Sequence, residues 1–387
     1  MAVDDIPLLD MHLLLHEPER AVQQRAADLA APWRNTIAQW YLDQSAPVAQ
    51  LARAMGGAGL LGMALPQPYG AAAGAVAYGM ACLEVESVDS GLRSLLSVQG
   101  SLAMHAIHAF GSPEQHQQWL PGMAAGQLIG GFALTEPLVG SNPAQLRTTA
   151  RRHGGGWLLN GAKKWITNGP VADVVVVWAA TDEGLRGFLV SPETAGAAMT
   201  DVPGRLSLRA SASGQLTLTD VIVDDSQRLP TAAGVRAPLS CLNEARFGIM
   251  FGALGAARDS LLAALRYTGQ REQFGRALAG FQLVQSELAE AAAQLAAATA
   301  LAVHLGRAKD AGSITPAQIS LGKRTSAAVA LDVARRCRAL LGANGVLAEY
   351  SPMRHAANLE SVVTYEGTHQ MHTLVLGQEL TGLPAFR

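Results

Sequence analysis

The sequence predicts an α+β fold, mostly α: an N-terminal α-helical domain over 1–131, a middle β-domain over 132–236 and a C-terminal four-helix bundle over 237–387. Two observations predict it. Apolar residues recur at three- and four-residue spacing up to about residue 130 and again beyond 236, as amphipathic helices require. Between these regions lie short β-rich runs punctuated by turn signals.

Val48-Ala49-Gln50-Leu51-Ala52-Arg53-Ala54-Met55 typifies the first regime. In the second, Trp157-Leu158-Leu159, Val174 to Trp178, Gly187 to Val190 and Leu216 to Val223 read as strands, with Asn160-Gly161 and Asn168-Gly169 as turn pairs. So many short strands exceed a single hairpin. In the third, helices are expected at roughly 239–269, 280–311, 315–342 and 368–381. Thr315-Pro316 supplies a cap and first-turn pair, and Gly342 and Gly345 mark that helix's end. Long helices with short connections pack as an antiparallel bundle, and the alanine run from Glu290 to Ala302 allows close approach of helices or a buried oligomer interface.

A chain of 387 residues supports two or three packed units with a large core. Its formal charge of −2 excludes the basic patch that nucleic-acid binding demands, leaving small molecules and proteins as the expected partners. Cys82, Cys241 and Cys337 are odd in number and lack metal-ligand spacing, which points to buried free thiols in a reducing compartment and to no metal. The start, MAVDDIPLLD, carries early acids and lacks the pattern of a secretory signal or a transit peptide. Apolar stretches such as Val174 to Ala180 fall short of the roughly 20 residues of a membrane span, so a cytoplasmic protein is expected.

The chemistry centres on Glu366, in Tyr365-Glu366-Gly367-Thr368 ahead of the last helix. A glutamate there is favoured by the helix dipole, so capping is one reading and a catalytic base the other. Further segments accompany it in order. Phe132-Ala133-Leu134-Thr135-Glu136-Pro137 with Gly140-Ser141 comes first, then Lys164-Trp165-Ile166-Thr167-Asn168. Arg271, Gln273, Phe274-Gly275 and Gln282 follow, with Leu341-Gly342-Ala343-Asn344-Gly345 beyond them. Together these resemble the acyl-CoA dehydrogenase family over essentially the whole chain. Glu84 to Ser94 and Asn358 to His369 are most similar to its glutaryl-CoA dehydrogenase branch.

The resemblance implies FAD as cofactor. Phe132, Leu134, Thr135, Gly140, Ser141, Trp165, Ile166 and Thr167 would meet the flavin, where hydroxyl and backbone donors along one edge and an apolar wall suit the ring. Arg271, Gln273, Phe274 and Gln282, with Gly342 and Gly345, would meet the dinucleotide across a dimer interface, an arginine fork suiting a diphosphate. Thr368, Gln370 and Phe386 complete the implied cofactor set. The CoA thioester is implied near Ser141, Asn243, Arg246, Tyr365 and Gly367, and a distal substrate carboxylate near Glu86, Arg93 and Ser94. Structural readings stand beside these: Trp165 as core, Arg271 in a capping loop, Arg246 as a surface ion-pair residue, and Arg93 paired with Asp89 for about 0.3–0.5 kcal/mol.

Some positions depart from the family's pattern. Ala343 stands where Gly is usual, which questions a positive φ or a close phosphate approach. Leu138, Val139 and Asn142 replace small polar residues, and Leu92 replaces a Tyr. The implied function is FAD-dependent oxidative decarboxylation of glutaryl-CoA to crotonyl-CoA, with electrons passed to an electron-transfer flavoprotein, by a homotetramer built as a dimer of dimers. Alternatives are a non-decarboxylating dehydrogenase of another dicarboxylyl-CoA or carrier-protein thioester, and a flavin-binding stress-response protein without dehydrogenase activity.

Overall fold

The computed structural model describes residues 6, 8, 10 and 13–385, which run as helices, sheet and helices in that order. The first helices are α1 Glu17–Ala30, α2 Ile37–Asp43, α3 Val48–Gly57, α4 Ala75–Glu86, α5 Ser90–Ser97, α6 His105–Phe110 and α7 Pro113–Ala124. One sheet follows, of β1 Gly130–Ala133, β2 Thr149–His153, β3 Gly156–Thr167, β4 Val174–Thr181, β5 Gly184–Val190, β6 Ala197–Asp201 and β7 Ser213–Asp224. Then come α8 Arg236–Gln270, a small hairpin of β8 Glu272–Gln273 and β9 Arg276–Ala277, α9 Gln282–Asp310, α10 Pro316–Leu340, α11 Ser351–Val362 and α12 His369–Thr381.

Local chemistry explains the boundaries. Thr315 caps α10 by accepting from the Gln318 N–H, and Pro316 occupies the first turn, as expected. Asp89 caps α5 by accepting from the Gly91 N–H at 2.7 Å, so α4 ends and Arg93 falls in the first turn of a new helix. The Asn160-Gly161 pair is not a turn. It lies inside β3, where the register against β7 shifts between Leu159 and Gly161, and the turn before this strand is made by Gly154 and Gly155. Helix α11 is an element that helical spacing alone did not separate, although Pro352 in its first turn marks a helix start.

Helix α4 is buried on every side, and its partner α8 approaches it backbone to backbone. A Cβ on Gly255 would lie 1.9 Å from the Leu83 carbonyl oxygen, and one on Gly252 would lie 2.1 Å from Glu86 Oε2. These glycines bring the middle of α8 against the end of α4 and Arg93. By length and hydropathy α8 and α9 could each cross a membrane, but most of α8's apolar stretch is buried inside the protein. The three cysteines are free and buried, with thiols pushed up to about 12 by burial. Among the described residues no His, Cys, Asp and Glu cluster could hold a metal ion.

Candidate active site

Glu366 lies in the connection between α11 and α12. Thr368 caps α12, its hydroxyl accepting from the Met371 N–H at 3.1 Å, which removes the capping reading of Glu366. The backbone of Glu366 is left-handed, with φ 51°, a conformation that costs a non-glycine residue about 1–3 kcal/mol. Its Oε2 is buried with no hydrogen-bond partner among the described residues. Burial raises its pKa against the opposing pull of Arg93, Arg246 and Lys323. A carboxylate raised by burial and left without donors is suited to taking a proton from carbon.

Cations from three helices surround this loop. Arg246 of α8 donates from Nε to the Glu366 carbonyl at 2.8 Å and from Nη1 to Asn243 Oδ1 at 3.0 Å, so neither is a free surface residue. Lys323 of α10 donates to the carbonyls of Tyr365 and Gly367 at 3.0 and 2.8 Å. Arg93 of α5 donates from Nη2 to the Tyr365 hydroxyl.

Arg93 is 1% exposed. Its Nε pairs with Glu86 Oε2 at 2.5 Å, and its Nη1 donates to Ser97 Oγ at 2.9 Å. The Asp89 alternative does not hold, because Asp89 accepts from Arg354 Nε and Asn358 Nδ2 as well as capping α5. The Ser94 hydroxyl donates to the Ser90 carbonyl at 2.8 Å, and Ser97, one helical turn beyond Arg93, accepts from its guanidinium. Leu92 packs into the core.

The two sheet segments meet at one edge. The Lys164 N–H donates to the Thr135 carbonyl at 2.9 Å. A bulge between Lys164 and Ile166 puts Trp165 at φ 64°, and its indole is 56% exposed. The Phe132, Leu134 and Ile166 side chains face the core, so only their backbones are available to a ligand. Thr135 and Thr167 are part-exposed; Gly140, Ser141, Leu138 and Asn142 are exposed. Behind this edge, Lys163 Nζ reaches Glu136 Oε1 at 2.9 Å and the Leu134 carbonyl at 3.1 Å, bracing the turn from within.

A separate cluster forms at the far end of α8. Arg271, Gln273, Phe274 and Gln282 are all exposed, Phe274 by 94%. Asn344 Nδ2 donates to the Tyr267 hydroxyl at 3.0 Å, which sets the Gly342 turn against the same helix end. Gly342 carries the positive φ there, at 59°, while Gly345 is buried; Ala343 has no positive φ, so its methyl brings no backbone strain. Gln370 is exposed, and Phe386 lies outside the described residues.

Models of the acyl-CoA dehydrogenase N-terminal, middle and C-terminal domains match residues 16–127, 131–221 and 232–381. An acyl-CoA dehydrogenase of Bacillus subtilis (strain 168) is 33% identical over 340 residues, covering 86% of this chain and 90% of the relative. The chain belongs to the acyl-CoA dehydrogenase family. Among solved structures, a glutaryl-CoA dehydrogenase from Mycobacterium smegmatis aligns with TM-score 0.97 at 54% identity over 99% of each chain. A glutaryl-CoA dehydrogenase from the same organism in complex with FADH2 aligns with TM-score 0.96 at 51% identity over 98% of each chain.

As an acyl-CoA dehydrogenase the chain must hold a flavin, and its sheet edge fits one. Trp165 and Leu138 leave an apolar wall uncovered beside the joined backbones of Thr135 and Lys164. Sequence reasoning missed Ser97, Lys163, Lys323 and His372. Ser97 was within reach, four residues beyond Arg93 on one helix face. Lys323 carried a signal too, since it sits on the buried stripe of α10 with Ile319, Ala327 and Ala330.

Proposed function

We propose that this enzyme oxidises glutaryl-CoA to crotonyl-CoA and CO2, with FAD as its cofactor and an electron-transfer flavoprotein as acceptor. Arg93 carries the choice of substrate. Of its five N–H groups three are engaged, by Glu86, Ser97 and Tyr365, leaving two for an anion in a desolvated pocket. A monocarboxylyl-CoA has nothing to give that guanidinium. Arg93, Arg246 and Lys323 face two carboxylates, Glu86 and Glu366, so a substrate with a carboxylate tail balances the site. Glu86 acts on the substrate by aiming Arg93.

Glu366 takes the α-proton of the thioester. The Glu366 backbone N–H donates to the thioester oxygen as enolate character develops, and Asn243 and Arg246 hold the loop from the CoA side. A bound FAD would supply the acceptor for the β-hydrogen and its electron pair. In the resulting α,β-unsaturated thioester the distal carboxylate is allylic to the conjugated system. It leaves as CO2, its bonding pair passing into a dienolate that protonated Glu366 reprotonates.

Arg271, Phe274 and the Gly342 turn serve the cofactor of a neighbouring subunit in this reading. From Arg246 to Gln270 the helix α8 rises roughly 36 Å at about 1.5 Å per residue, beyond the span of one dinucleotide that also reaches Glu366. A homotetramer built as a dimer of dimers would cover the exposed Phe274 and Leu283, and light scattering would report it. The substrate is tested by mass analysis of products from glutaryl-CoA with an artificial electron acceptor. Crotonyl-CoA is expected; the unsaturated dicarboxylyl thioester as end product would remove the decarboxylation, and a preference for butyryl-CoA would remove the dicarboxylate.

A further inference from the structure

We propose that Lys323 is a positioning residue for Glu366, clamping the strained loop through the carbonyl oxygens on either side of it. The inference rests on Glu366 being the base. Three consecutive carbonyls of this loop are each held by a cation: Tyr365 and Gly367 by Lys323, and Glu366 by Arg246. The segment needs holding, because Glu366 and Gly367 both have positive φ, 51° and 98°, and Glu366 has no glycine's freedom to relax there. The clamp acts on backbone alone, so the carboxylate itself keeps an oxygen without a donor.

The placement of Lys323 is itself costly. It is 1% exposed and forms no salt bridge among the described residues, so its ammonium is solvated by carbonyl dipoles. Burial pushes it down to about 7, reinforced by repulsion from Arg246 and Arg93 and against the pull of Glu366. A lysine kept in so unfavourable a position, aimed at two peptide groups flanking the base, is explained by what it fixes. Close helix packing delivers it: a Cβ on the adjacent Gly322 would lie 2.1 Å from Met250 Cε of α8. Among the described residues the charged or titratable groups facing the loop are Arg93 on α5 with Glu86 behind it on α4, Arg246 on α8, Lys323 on α10 with Arg324 beside it near His369, and Tyr365 in the loop itself. On α12, His372 is held neutral, pushed down to about 3 by burial and by Lys323 and Arg246, and His369 is also lowered.

The test uses the FAD-loaded enzyme and two variants. Lys323→Met removes donors and charge; Lys323→Gln removes the charge and keeps donors on a side chain one bond shorter. For Lys323→Met we expect retained flavin, a substrate Kd close to wild type, and flavin bleaching by acyl-CoA slowed by about 100-fold, the size of a 1 Å misplacement. Amide hydrogen exchange over 364–368 should quicken. The acid limb of the bleaching rate should move to higher pH in both variants, because a charge that lowers the pKa of Glu366 is gone, while Lys323→Gln, with donors of shorter reach, recovers part of the rate. If Lys323→Met does not fold, Lys323→Gln decides alone, with exchange over 364–368 quickened less than in a full loss of the clamp and the acid limb moved to higher pH. Wild-type exchange and an unmoved acid limb overturn the inference, even if the rate falls. If Glu366→Gln still bleaches at full rate, the base assignment fails instead, so the two failures are distinguishable.

Discussion

Glu84 and Glu86 stand two residues apart at the end of α4, both buried, and differ in how far their oxygens are satisfied. Glu84 accepts from Arg258 through both oxygens, at 2.8 and 2.6 Å, and from Gln23 at 2.8 Å. Glu86 meets Arg93 through Oε2 alone, and its buried Oε1 has no partner among the described residues. The same division separates other buried carboxylates. Asp89, Glu136 and Asp259 have both oxygens engaged, and in Glu136 and Asp259 hydrogen bonds and neighbouring cations overcome burial to hold the pKa down. Glu366, with Oε2 bare, is raised instead. Saturated carboxylates tie helices and strands together; the two unfinished ones lie on either side of the Arg93–Tyr365 contact.

The largest effect that would break this division is at Glu366. Glu366→Gln keeps the shape and loses basicity, so flavin bleaching should fall by about 10²–10⁴-fold with FAD retained. Stability should not fall, since no donor is lost. Full turnover would sink the base assignment, and a large drop in melting temperature would place Glu366 among the structural carboxylates.

Glu84→Gln should do the reverse. Breaking a buried ion pair from one side costs about 3–5 kcal/mol of stability, read by denaturant unfolding, while turnover per folded molecule stays near wild type. Loss of turnover without loss of stability would merge the two classes. Arg93→Met comes next, at about 2–5 kcal/mol on glutaryl-CoA turnover, because the substrate carboxylate is stranded in a desolvated pocket. Butyryl-CoA, with no distal charge, should be oxidised about as before. Equal losses on both substrates would make Arg93 a structural residue.

Much of this division could be read in the sequence, and the remainder required long-range contacts. Glu366 showed itself through its tetrapeptide, and Arg93 through a helix break that placed a cation where the dipole disfavours it. Asp89 could not be assigned, because its partner Arg354 is 265 positions away in the chain. Lys323 was on a buried stripe, but the carbonyls it holds come from a loop more than 40 residues later. Asn160-Gly161 misled because one dipeptide suits both a hairpin turn and a bulge; Gly161 has φ 148°, and only pairing with β7 tells them apart. Ser97 joins the guanidinium from one turn further along α5, a neighbour that the adjacent Arg-Ser pair does not point to.

The smallest expected effect sharpens the comparison by its sign. The folded pKa of Glu366 lies above its ordinary value of 4.5, so between the two the folded state binds more protons than the unfolded chain. Any stability this group contributes is therefore greatest below 4.5 and declines as pH rises through the folded value. Glu136 and Asp259, with depressed values, act oppositely: their contribution is full above the ordinary carboxylate range and is lost as pH falls through the folded value. Subtracting the unfolding free energy of Glu366→Gln from that of wild type cancels the saturated groups and leaves Glu366. That difference should become less favourable to wild type as pH is raised from 4 towards neutrality, measured at constant ionic strength in denaturant titrations of FAD-loaded protein. A difference that grows with pH would mean that Glu366 is held ionised by partners, like Glu136, and would return it to the structural set.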